Sequence, residues 1–303
     1  MLWFEKILVI CDQENLSEFF LEKLAIVARK NEAELTFVVP ETKMPSEFDP
    51  LLKEHEQSFE ANIKSKLENH NIKSNPNFVY EDSKAVFIPI IQRVLREDFD
   101  LIMKPAPPHI DKGFRSLDMS LLRKCPCPVW IEKNEDQEHQ KRLVVAIDAL
   151  QEEKGAQDLS VQLLKIGNAL SKLMSYEFHV ISCWHVEYES MLRHSAFVKV
   201  EEEKLNEITT KTQKDHESAF ENLVSLAEIT RPDKIHLPNG KPDEIIPGYI
   251  NDNDIDLAVM GTVARTGIPG FFIGNTAENI IQNITCSMIA VKPNGFVTPI
   301  KAY

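Results

Sequence analysis

Residues 142–148 read RLVVAID. Five apolar residues in a row, three of them β-branched, are followed by an acidic one. This is the pattern of a strand buried on both faces, with an Asp at its carboxyl end. The same pattern stands at residues 6–12, KILVICD. Asp12 thus matches Asp148, and the match extends outward. Asp100 of DLIMK corresponds to Asp256 of DLAVM, and Lys133 of PVWIEK to Lys292 of SMIAVKP. The chain is an internal repeat, and its counterparts drift apart through the middle, so the second copy carries extra chain there.

Between the strand-like runs lie helical patterns. LSEFFLEKLAIVARKNE places Phe19, Phe20, Leu24 and Val27 at helical spacing. Further helices are expected near residues 50–68, over 85–98 with an interruption at Pro89, over 158–174, over 198–229 and over 275–284. Buried strands alternating with helices imply parallel pairing. The expected fold is α/β: two tandem flavodoxin-like domains, each with a mainly parallel five-stranded sheet. The hydrophilic stretch at 134–141, NEDQEHQK, is the expected linker, giving domains 1–137 and 138–303.

The 303 residues are 43% hydrophobic and 27% charged, with a formal net charge of −13. That balance argues against a general nucleic-acid or anionic-membrane binder, which needs clustered Lys and Arg. No apolar run is long enough to span a bilayer, and the first residues lack a signal-peptide pattern, so a cytoplasmic location is expected. Five scattered cysteines do not form a disulfide framework.

In an open parallel sheet, ligands bind beyond the carboxyl ends of the strands. Asp148, Gly261 and Gly274 belong near that edge. Gly261 is either a strand-ending turn residue or a point of close backbone approach to a ligand. In GNTAE, Asn275 as N-cap with Glu278 three residues on reads as a capping box. The bare amides of that helix start also suit phosphate oxygens. Asp148 reads equally as a ligand contact or as an anchor for its own loop.

Residues 261–281, GTVARTGIPGFFIGNTAENII, resemble the nucleotide loop of the universal stress protein family, and the tandem repeat resembles its two-domain type. ATP-binding members carry Gly, two residues, Gly, nine residues, then Gly followed by Ser or Thr. Gly261 and Gly274 match the first and third glycines. Ala264 replaces the second, and Asn275 replaces the Ser or Thr; Gly267 and Gly270 supply glycines at shifted positions. LLRKCPCPVWIEK, residues 121–133, is the other specific match. The resemblance implies an adenine nucleotide, ATP or a relative, with Asp148 at the adenine or ribose side. Met260 and Gly261 would lie along the nucleoside, and Gly274, Asn275 and Thr276 on the phosphates, with Ala264 in the loop. It also implies pairing of the two domains through edge strands inside one chain, with a further homodimer left open. The first half departs more. Lys104 falls where the first glycine is expected and Arg115 about where the last should be. No nucleotide site of the family type is expected there, and Lys104, His109, Lys112 and Arg115 read as a solvated loop or a basic patch.

His179, Cys183 and His185 alternate along one strand face but are spaced too widely to share a zinc ion. No metal site is expected. No P-loop, HExxH motif or evident nucleophile–base pair is present, so no catalytic residue is assigned. The function expected is a stress-response protein that binds a small ligand in its second half and signals through partners. The alternatives are an interaction module with both sites lost, and a weak ATP hydrolase.

Overall fold

The computed structural model describes the chain apart from residues 1–3, 12–15, 42–43, 73–74, 83–85, 108–110, 134–138, 152, 187–200 and 263–272. The first half runs β1 (Lys6–Ile10), α1 (Glu18–Asn31), β2 (Glu34–Glu41), α2 (Asp49–Asn69), β3 (Asn77–Asp82), α3 (Phe87–Glu97), β4 (Leu101–Pro105), α4 (Ser116–Lys124) and β5 (Val129–Glu132). The second repeats it: β6 (Arg142–Ala146), α5 (Lys154–Met174), β7 (Glu177–Ile181), α6 (Glu202–Ala227), β8 (Lys234–His236), α7 (Pro242–Asp252), β9 (Leu257–Gly261), α8 (Asn275–Asn283) and β10 (Ser287–Val291).

All ten strands form one sheet, in the order β3-β2-β1-β4-β5-β10-β9-β6-β7-β8. Each half is parallel with internal order 3-2-1-4-5. The crossover direction therefore reverses between β1 and β4, and between β6 and β9, where the flavodoxin order 2-1-3-4-5 would reverse it at the first and third strands. The halves join edge to edge through the antiparallel pair β5 and β10, with Trp130 opposite Ile289. Those two residues are also each other's counterparts in the repeat, so a local two-fold axis passes between them.

Alternation along the strands builds two cores. Ile7 and Val9 join the layer under α1, α2, α5 and α6. Leu8 and Ile10 join the layer under α3, α4, α7 and α8. Trp130 is fully buried at the seam; truncating such a residue to Ala costs about 3–5 kcal/mol. Helix α1 starts on Ser17, whose hydroxyl accepts the amide of Phe20 at 3.1 Å, and stops at Glu32 in the left-handed region, φ 51°. Pro89 does not interrupt α3. It is the third residue of the helix, where the missing N–H would have had no helical partner.

Candidate functional site

The carboxyl ends of β6 and β9 lie side by side, with Ala146 paired to Met260. This is the crossover point of the second half, and most of the expected residues gather there. Asp148 lies two residues past β6 and is exposed. Its carboxylate accepts the amide of Leu150 at 3.1 Å and the Gln151 side-chain amide at 2.6 Å. It therefore anchors its own turn while remaining at the lip of the site. Met260 is buried. Gly261 has no left-handed backbone; a Cβ there would meet Cδ2 of Leu159 at 2.8 Å. A side chain at this position would displace the tip of Leu159 in α5.

The helix start differs from the expected capping box. Gly274, not Asn275, is the N-cap, with φ −58° and ψ 144°, and Asn275 begins the helix. Glu278 then falls one position too late to serve as the N3 partner. Its carboxylate is instead taken across the seam by Arg123 of α4. Among the described residues, nothing lies within 4 Å of where a Gly274 Cβ would project, and Asn275 and Thr276 are exposed. The first turn of α8 thus starts without a side-chain cap. Ala264, Gly267 and Gly270 lie outside the described residues. On either side of them, the Gly274 amide donates to the Thr262 carbonyl at 3.2 Å.

The same point in the first half is built differently. Pro105 ends β4 as Gly261 ends β9, so Lys104 matches Met260, as the Asp100–Asp256 correspondence requires, and not the first glycine. Arg115 is the N-cap of α4, as Gly274 is of α8. Asp118, at the third helical position, accepts the Arg115 amide at 3.2 Å and pairs with Lys104 at 2.9 Å, both side chains buried. A carboxylate of the chain itself therefore occupies the positive end of this helix. Its counterpart in α8 is Ala277. Lys112 and Arg115 are exposed and do not converge with buried Lys104, so these residues form no common basic patch. His109 and Asp12 lie outside the described residues.

Beside Asp148, at the end of β7, stands a pair that sequence reasoning missed. Ser182 Oγ and His216 Nε2 are 2.9 Å apart, and both residues are fully buried. The ring's Nδ1 has no partner among the described residues. Burial holds His216 below the ordinary imidazole range, opposed by the charge of Asp148. The available signal was position: His216 shares the buried stripe of α6 with Phe220, Leu223 and Ala227. Full burial closes the pair to any substrate. Cys183 lies at this edge too, its thiol pushed up to about 12 by burial and by Asp148, and hence unreactive.

His179, Cys183 and His185 do not act together. His179 is buried with Nδ1 3.0 Å from the Tyr249 hydroxyl, Cys183 lies past the strand end, and His185 is exposed. Among the described residues, no group of three potential ligands could hold a metal ion. The five cysteines are buried and outside any disulfide, with the sulfurs of Cys125 and Cys127 3.4 Å apart. No helix among the described residues is long and apolar enough to cross a membrane. A separate cleft of about 260 Å³ opens between the halves, with Lys23, Glu132, His139 and Asp256 in its walls; it shares no residue with the strand-edge set.

The profile of the Universal stress protein family matches residues 140–292. Universal stress protein E of Photorhabdus laumondii is 31% identical over 223 residues, covering 70% of this chain and 68% of that protein. A universal stress protein E homolog of Haemophilus influenzae is 24% identical over 322 residues, covering 96% of this chain and 98% of that one. Among solved structures, a functionally unknown protein from Pseudomonas aeruginosa has the same fold, with a TM-score of 0.72 at 22% identity, covering 96% of this chain and 93% of that chain.

Proposed function

Since the chain belongs to the universal stress protein family and resembles its tandem, universal stress protein E type, we propose that it binds an adenine nucleotide, ATP or a relative, at the strand edge of its second half and acts by signalling rather than catalysis. The observation that carries this reading is the contrast between the two helix starts. At α4 the chain supplies its own anion, Asp118, held by Lys104. At α8 the matching position is Ala277, the cap is glycine and no described residue crowds it. Backbone amides there suit phosphate oxygens. Asp148 would lie toward the ribose or base, Met260 and Gly261 along the nucleoside, Gly274, Asn275 and Thr276 at the phosphates, and Ala264 in the covering loop.

In this reading the halves divide between residues 137 and 138, the first serves the second as a scaffold, and the protein works in the cytoplasm within a stress response. Heating the purified protein and reading released small molecules near 260 nm, together with the melting temperature in millimolar ATP, tests it. Nucleotide release or a raised melting temperature supports the site. Neither effect would leave the chain an interaction module with both sites lost.

A further inference from the structure

Lys292 follows β10 and is only 6% exposed. Its ammonium donates to the carbonyl of Leu122, in α4 of the first half, at 2.5 Å, and to Oγ1 of Thr262. Thr262 is fully buried just past β9. Its amide donates to the Val291 carbonyl, and its own carbonyl accepts the Gly274 amide, each at 3.2 Å. Thr262 is thus the knot that closes residues 262–274 at the stem, and Lys292 holds that knot against the first half.

The other copy lacks this arrangement. Lys133, the counterpart of Lys292, donates to the Ile284 carbonyl at 3.2 Å, but Ala106 stands where Thr262 would be. Ala106 keeps the equivalent of the Val291 bond, donating its amide to Glu132 at 2.6 Å. The stem closure is absent, because the Arg115 amide goes to Asp118 instead. The lysine–threonine knot occurs only in the half that retains the family's loop.

We propose that Lys292 is a positioning residue of the strand-edge site, fixing the stem of its loop and tying it through Leu122 to α4 of the first half. This rests on the nucleotide reading above. Burial lowers Lys292 to about 7, so its charge changes near neutrality. The titratable group facing it is Cys125 at the end of α4, with Cys127 behind. From the stem it meets Thr262, and from the following segment the ring of Phe296 at 5.1 Å, neither of which titrates in this range. A protonated Lys292 adds a positive charge behind the Thr262 stem, so affinity for an anionic phosphate falls as pH rises through 7.

Calorimetric titration of ATP into the full chain from pH 6 to 8.5 tests this. The wild type is expected to weaken about tenfold across the window, the scale of one charge-assisted contact. Lys292→Met should bind weakly throughout and Lys292→Arg tightly throughout, each keeping only the pH dependence carried by ATP itself. Wild-type affinity and profile in Lys292→Met would overturn the proposal and leave the nucleotide site standing. Absence of ATP binding by the wild type at any of these pH values would overturn the nucleotide reading instead. Hydrogen exchange without ligand decides the tie independently: Thr262→Val should speed exchange of the α4 amides, and unchanged exchange overturns it.

Discussion

The amide of Gly113, in the first half, donates to the carbonyl of Ile284, in the second, at 3.0 Å. Lys133 reaches the same oxygen at 3.2 Å. Gly113 has φ +67°, and a Cβ there would meet the backbone oxygen of Gln282 at 2.9 Å. Neither atom has a flexible side chain to swing away. Gly113→Ala should therefore cost about 1–3 kcal/mol, read from urea unfolding, with α8 losing amide protection first.

Lys23 and Glu132 form a buried pair at 2.5 Å, and Trp130 donates its indole N–H to the same carboxylate at 2.8 Å. The counterpart of Glu132 in the other half is Val291, so packing at this position does not require a charge. Lys23→Met alone should destabilise by about 3–5 kcal/mol, because Glu132 is left as an unpaired buried anion. Adding Glu132→Gln removes the charge yet keeps an acceptor for the indole. The double variant should recover most of the loss in a denaturation cycle.

Placing a carboxylate at Ala277 copies Asp118 into the second half. Ala277→Asp should weaken ATP binding at least about tenfold, since like charges a few ångströms apart near a protein surface cost several kcal/mol. Thermal stability should hold or rise, because an anion near a helix start is favourable by about 0.3–1 kcal/mol. Titration calorimetry and a melting curve separate the two effects.

Acid sensitivity should trace to two histidines. Burial holds His179 and His216 below the ordinary imidazole range, against the pull of Glu177 on the first and Asp148 on the second. Both are neutral when folded, and the Tyr249 hydroxyl is placed to donate to a neutral His179 ring. As pH falls below about 6.5 the unfolded chain takes up protons that the fold resists. Stability should then decline with acidification. Urea unfolding at pH 7.5 and 5.5 should show a smaller difference in His179→Asn or His216→Asn, and the smallest in the double variant.

The sheet and its repeat were legible because buried parallel strands write their burial directly as apolar runs, and a duplicated chain writes it twice. Gly261, Gly274 and Asp148 could be placed at the strand edge for the same reason. What escaped were features settled by partners distant in the sequence. The expected capping box at Asn275 and Glu278 is a local rule, and Arg123 across the seam drew the glutamate away. Lys104 reads as a loop cation until Asp118, fourteen residues on, folds back onto it. His216 is hidden in a long charged helix, where only its place on the apolar stripe marks it.

The axis between Trp130 and Ile289 has an evolutionary consequence. An assembly of identical chains must set each axial residue against its own copy, so any change there arrives twice, face to face. Fusing the copies lifts that rule. A bulky indole can meet an isoleucine, and Glu132 can appear on one side while Val291 stays on the other. The join has become a lock whose two parts are no longer alike, and a first half brought against another first half would confront tryptophan with tryptophan. Having given up self-complementarity at its centre, the chain is free to let its two strand edges diverge.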